Sequence, residues 1–260
     1  MSETVRVEIE GRGVARVTLD RAEKHNAMSA QMIAELSQAA GILAADDAVR
    51  AVVLTGEGKS FCAGGDLGWM REQMAADAAT RGAEARKLAE MLGAWDALPK
   101  PVIGRVQGNA FGGGVGLVSV CDVAVGVDAL KMGLTEVRLG LIPATIGPYV
   151  AARMGVAKAR RVFFSGRLFG AQEAVSLGLL ARAVPEAELD EAVEAEVAPY
   201  LDAAPGAVAE AKALLRSFGQ ADDVERSIAA LVARWEGDEA EEGTAAFFGK
   251  RKAAWMRGAG

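Results

Sequence analysis

The amino-acid sequence predicts an α/β fold built on a parallel sheet, with a helical region at its C-terminal end. Three observations carry this expectation. Apolar runs of strand length alternate with stretches of helical spacing, prolines and glycines mark the junctions, and strand-like runs nearly vanish after about Gly155. In chain order, the alternation Val14 to Leu19 reads as a strand. Ser29 is a capping residue type, and apolar residues follow it at helical spacing to Leu43. Ala51 to Thr55 reads as the next strand. A helical stretch from about Ala83 to Leu98 is broken by Pro99 and Pro101, and Val102 to Val106 is again strand-like. Gly112 to Cys121 reads as a helix opening on glycines, and Val123 to Val127 as a further strand. This order argues for stacked βαβ units. Beyond Gly155, helices are expected near Lys158 to Phe164, Ala171 to Leu177, Glu188 to Leu201, Ala207 to Arg216, Val224 to Trp235 and Glu239 to Lys252.

With 260 residues, 51% hydrophobic and 25% charged, the chain can bury a single core with a helical extension. A formal charge of −6 leaves no sequence-wide positive field for nucleic acid or an anionic membrane. A phosphate-bearing ligand therefore requires a local basic patch. The start MSETVRVEIE lacks the basic and apolar parts of a secretory signal, and no apolar run is long enough to span a bilayer, so a cytoplasmic protein without a membrane partner is expected. Cys62 and Cys121 lie far apart without metal-ligand spacing and read as buried thiols. The one histidine, His25, excludes a multi-histidine metal site and reads as a turn residue before a helix; no metal is expected.

Three segments carry chemistry. Phe61-Cys62-Ala63-Gly64-Gly65-Asp66 follows a strand, and its paired glycines allow a sharp turn that frees backbone N–H groups. Gly108 to Gly114 opens a helix whose first amides lack partners and favour an anion; the spacing fits neither a dinucleotide fingerprint nor a Walker loop. In Met132-Gly133-Leu134-Thr135-Glu136, a carboxyl stands in an apolar setting, as a surface residue or as a proton carrier.

Phe61 to Asp66, Gly112 to Gly114, Cys121-Asp122 and Gly133 to Pro143 resemble, in order and spacing, the crotonase family, also called the enoyl-CoA hydratase/isomerase family. The resemblance extends to Leu19-Asp20-Arg21 and Asn26-Ala27-Met28 near the start, and to Glu242-Gly243, Ala246-Phe247 and Lys250-Arg251 near the end. It implies a crotonase-like spiral of stacked ββα units over residues 1–200, with residues 201–260 as a helical trimerisation region. The implied partner is an acyl-CoA thioester. Coenzyme A enters as part of the substrate, with no separate cofactor, and the assembly is a homotrimer or a dimer of trimers.

By resemblance, the N–H groups of Ala63 and Gly113 form an oxyanion hole for the thioester carbonyl. Gly64, Gly65, Asp66 and Leu67 line the coenzyme pocket, Arg21 and Lys24 contact its nucleotide end, and Phe247 and Lys250 come from a neighbouring subunit. Hydratases of the family usually carry two glutamates. Here the second is Glu136, but the first position is Gly116, which cannot hold water or move a proton through a side chain. Two enzyme readings follow: hydration with Glu136 as sole acid/base, or double-bond isomerisation by the same residue. A third is an acyl-CoA-binding member with little activity. Asp66 to Met70 and Thr135 to Ile146 resemble methylglutaconyl-CoA and related branched glutaconyl-CoA hydratases of leucine or terpene breakdown, which favours hydration. Their second carboxylate calls for a cation, with Arg71 and Arg138 as candidates.

Overall fold

The computed structural model describes residues 3–218 and 237–255. The first hairpin sets the sheet: β1 (Val5–Ile9) pairs antiparallel with β2 (Val14–Leu19) across a tight turn. From β2 onward every neighbour is parallel. β3 (Ala51–Gly56), β5 (Val102–Val106), β7 (Val123–Val127) and β10 (Arg182–Val184) complete a six-stranded sheet in the order β1-β2-β3-β5-β7-β10. All of β3 is buried, which is why Ala51 to Leu54 run apolar without alternation, and the buried Thr55 hydroxyl donates to the Arg105 carbonyl at 3.0 Å.

Helix α1 (Ala30–Ala45) starts where Ser29 accepts a hydrogen bond from the Met32 N–H at 3.2 Å. Its buried face, Met32, Ile33, Leu36, Ala39, Ala40 and Leu43, packs against α3 (Ala78–Asp96). From α3, the fully buried Trp95 donates its indole N–H to the Leu36 carbonyl at 3.1 Å. Truncating Leu36 to Ala would cost about 2–5 kcal/mol on the usual core scale. No residue of helix α2 (Leu67–Ala75) is fully buried, so it has no apolar stripe to announce it.

A second sheet, absent from the sequence reading, positions the site. Its strands are three residues long: β4 (Ser60–Cys62), β6 (Asn109–Phe111), β8 (Lys131–Gly133) and β9 (Leu168–Gly170), in that spatial order. β4, β6 and β8 are parallel, with Cys62 beside Ala110 and Ala110 beside Met132, while β9 returns antiparallel. The parallel sheet expected from the sequence is present, divided between two sheets that each carry one antiparallel edge pairing. Strands also continue past Gly155, as β9 and β10.

The helices after Gly155 are α6 (Val156–Ala159), α7 (Ala171–Leu177), α8 (Leu189–Leu201), α9 (Pro205–Ser217) and α10 (Asp238–Phe248), preceded by α5 (Gly147–Met154); α4 spans Gly113–Ser119. The stretch Lys158 to Phe164 is mostly turn rather than helix. The expected helix Val224 to Trp235 lies outside the described residues. Lys212 ties α9 to the core through Asp122 at 2.7 Å and the Lys100 carbonyl at 3.1 Å. Among the described residues no helix is long and apolar enough to cross a membrane.

Candidate active site

The three segments singled out in the sequence leave the C-terminal ends of β4, β6 and β8, so the register of the small sheet places them side by side. From β4 comes the loop Ala63 to Asp66. From β6 comes the N-terminus of α4, and the Gly112 N–H extends the ladder by donating to the Gly133 carbonyl at 2.9 Å. From β8 comes a short 3₁₀ turn, Glu136–Leu139. Gly64 and Gly112 adopt φ of +95° and +48°, a region that other residues enter at a cost. Their meeting is close. A Cβ on Gly112 would lie 2.9 Å from Oε1 of Glu136 and 3.9 Å from the Gly64 Cα.

The oxyanion assignment needs one correction. The Ala63 N–H donates to the His25 carbonyl at 3.0 Å and is not free for a ligand. Segments 25–28 and 63–66 run parallel, Met28 bridging to Gly65: the Met28 N–H donates to Gly64 O at 2.7 Å, and the Asp66 N–H to Met28 O at 2.9 Å. In such a ladder the residue between these two points its own amide the other way. That residue is Gly65, and its N–H, like that of Gly113, has no acceptor among the described residues.

Glu136 sits beside these amides. Its Oε2 is buried and has no hydrogen-bond partner among the described residues. Burial pushes its pKa above the ordinary carboxyl value, against a smaller opposing hydrogen bond from its own backbone N–H. A carboxyl kept without a partner in a partly dry site can trade its proton with a ligand.

At Gly116 the space for a side chain is already filled. A Cβ there would lie 2.6 Å from Cγ2 of Ile146 and 3.5 Å from Cδ1 of Leu92. The missing first glutamate is therefore matched by apolar side chains that occupy its place. Gly116→Glu should overpack this junction, costing about 1–3 kcal/mol or more. Thermal unfolding checks this as a lowered Tm, and Gly116→Glu combined with Ile146→Gly should recover part of the loss.

The remaining expected residues divide. Asp66 caps α2, accepting from the Gly68 and Trp69 N–H groups at 2.8 and 3.3 Å. Burial alone would raise its pKa, but those bonds and Arg21 more than cancel this and hold it low. The Arg21 guanidinium donates to the Ala27 carbonyl and pairs with Asp66. Leu67, Lys24 and Lys250 are exposed. The side chain of Phe247 lies outside what is described. Cys62 and Cys121 are buried and free, and burial pushes each thiol up to about 12. His25 is a left-handed turn residue with Nδ1 3.1 Å from Ser60 Oγ. Among the described residues no cluster could hold a metal ion. Sequence reasoning missed Gly65 as donor and Ile146 as the residue closing over Gly116.

The two-sheet fold thus brings together the loop carrying the Gly65 amide, the helix start carrying Gly113 and the half-buried Glu136. The chain belongs to the enoyl-CoA hydratase/isomerase family, whose model matches residues 9–258. It is 38% identical over 251 residues to the enoyl-CoA hydratase ACTT6 of Alternaria alternata, covering 94% of this chain and 81% of that protein. Among solved structures, an enoyl-CoA hydratase from Shewanella pealeana superposes with a TM-score of 0.93 at 35% identity, covering 98% of this chain and 96% of that one. AtuE of Pseudomonas aeruginosa gives 0.92 at 35%, covering 98% and 100%. The fold is the crotonase fold.

Proposed function

We propose that the protein adds water across the double bond of an α,β-unsaturated acyl-CoA, with Glu136 as its only side-chain acid/base. The observation that carries this is the buried, unpartnered Oε2 of Glu136 beside two free amides, with the first-glutamate position closed by Ile146. The thioester oxygen accepts from the Gly65 and Gly113 N–H groups. The Glu136 carboxylate takes a proton from water, the oxygen adds to Cβ, and charge moves onto the thioester oxygen as an enolate. The Glu136 carboxyl then returns the proton to Cα. Amides fixed in advance stabilise that charge without reorganising, each contributing about 2.7–4 kcal/mol by comparison with other enzymes. Exposed Lys24 and Lys250 supply positive charge for the coenzyme phosphates, and Leu67 apolar surface for its arm.

The acyl group we propose is a branched glutaconyl type. A groove of about 520 Å³ runs between α3 and the segment Ala144 to Tyr149, bounded by the residues flanking Ile146 and Leu92. Arg86 lies on it with no ion pair among the described residues, and so joins Arg71 and Arg138 as a candidate for the distal carboxylate. Incubation with 3-methylglutaconyl-CoA, crotonyl-CoA and a 3-enoyl-CoA, followed by product masses, tests both points. A gain of one water marks hydration; constant mass with a shifted double bond marks isomerisation and overturns the reading. Arg86→Gln should raise KM for the glutaconyl substrate about tenfold, the worth of one charge-assisted contact, and leave that for crotonyl-CoA alone.

Residues 201–260 are proposed to join chains into a trimer or a pair of trimers, covering the exposed Leu139, Leu141 and Ile142. A light-scattering mass of one chain would contradict this.

A further inference from the structure

We infer that Arg21 is a positioning residue that fixes the direction of the Gly65 amide. The inference rests on the oxyanion reading of Gly65 and Gly113. Neither Gly64 nor Gly65 has a Cβ to restrain the peptide between them, so the Gly65 N–H is aimed by what that peptide's carbonyl accepts, the Met28 N–H at 2.7 Å. That aim holds only while the two segments stay paired. Arg21 has the geometry to keep them so, because its two terminal nitrogens grip both segments of the parallel bridge. Nη1 donates to the Ala27 carbonyl at 2.9 Å, and Nη2 pairs with Oδ2 of Asp66 at 3.0 Å. The two side chains are only 18% and 16% exposed, so solvent screens this pair less than a surface one.

Arg21 is itself held. Its N–H donates to Oδ1 of Asn26, and its carbonyl accepts from the Lys24 and Asn26 N–H groups, all at 2.9 Å. Asn26 is fully buried with φ of +53°, and its Nδ2 donates to the carbonyls of Glu57 at 2.9 Å and Ser60 at 2.8 Å. The chain of contacts thus runs from the turn between β3 and β4, through Asn26 and Arg21, to Asp66. Asp66 then caps α2 with its other oxygen. Gly65 precedes that doubly anchored carboxylate. Planar, bidentate reach is what the task requires, and a lysine cannot make both contacts.

The test uses the full chain with Arg21→Met, Arg21→Lys and Asp66→Asn. Three quantities are read: kcat and KM for crotonyl-CoA, affinity for free coenzyme A, and the near-ultraviolet enolate absorbance of bound acetoacetyl-CoA at fixed pH. Arg21→Met and Asp66→Asn should each lower kcat about tenfold or more and weaken the enolate signal, as a misdirected oxyanion donor would. Affinity for free coenzyme A should stay within about twofold, because no ground-state contact is lost. Arg21→Lys should recover part of kcat, and the double variant should be no worse than the worse single one. Should Arg21→Met not fold, the isosteric Asp66→Asn carries the same readout. Raised KM and weakened free coenzyme A binding at unchanged kcat would overturn the inference in favour of a nucleotide contact. An enolate signal absent from the wild type defeats the oxyanion hole itself; one present there and undiminished in both variants defeats only the role of Arg21.

Discussion

Glu136→Gln should lower kcat for hydration by about 10²–10⁴, the usual contribution of a general acid/base, while acyl-CoA affinity stays near that of the wild type. Glutamine keeps the shape and hydrogen-bonding reach of the side chain but cannot exchange a proton. Stopped turnover with retained binding is the expected pair of results, and unchanged turnover would remove Glu136 from the chemistry. Hydration starts from the carboxylate, so wild-type kcat should rise as pH passes upward through its raised pKa, and the variant should lose this limb. Stability should follow the opposite course. Between the ordinary carboxyl value of 4.5 and the raised one, the folded state binds more protons than the unfolded state. Wild-type stability therefore falls as pH rises through that window. Glutamine has no such loss, so the Tm advantage of Glu136→Gln should grow with pH there.

Gly65→Pro should reduce kcat by about 10²–10³, because proline removes the Gly65 N–H and an oxyanion donor is worth that much elsewhere. The first side-chain carbon has room. A Cβ on Gly65 meets Cγ of Met70 at 3.4 Å and Cε3 of Trp69 at 3.7 Å, ordinary contact distances. Circular dichroism like that of the wild type, with free coenzyme A binding retained, would assign the loss to the missing donor. Wild-type kcat in this variant would return the search for the second donor to other amides.

Long apolar runs made much of the large sheet legible. Val102–Val106 and Val123–Val127 were read from the sequence with the boundaries found, because strands covered on both faces are mostly apolar, with Arg105 the one charged residue between them. The small sheet was not legible, since a three-residue strand is too short to show any period. Helix α2 escaped for a related reason: no residue of Leu67 to Ala75 is fully buried and Trp69 packs only partly against the core, so no apolar stripe was there to find. In the site, Glu136 and the vacant side chain of Gly116 were readable because they are side-chain facts. The choice between Ala63 and Gly65 was not. It depends on which amides face the neighbouring segment and which face away, and only the pairing of Met28 with Gly65 decides that. The same limit hid the bonds of Arg21, whose positive charge fitted a phosphate contact as readily as an internal one.

The strands β4, β6 and β8 also bear on how the enzyme comes to exist. Each contributes one piece of the site from a distant point of the chain, and none holds its neighbour by more than a few hydrogen bonds. No early, local fragment can therefore be competent, and catalysis switches on only when the slowest long-range closure is complete. Turnover is thus a stricter reporter of correct topology in this molecule than helical content, which local segments can acquire on their own.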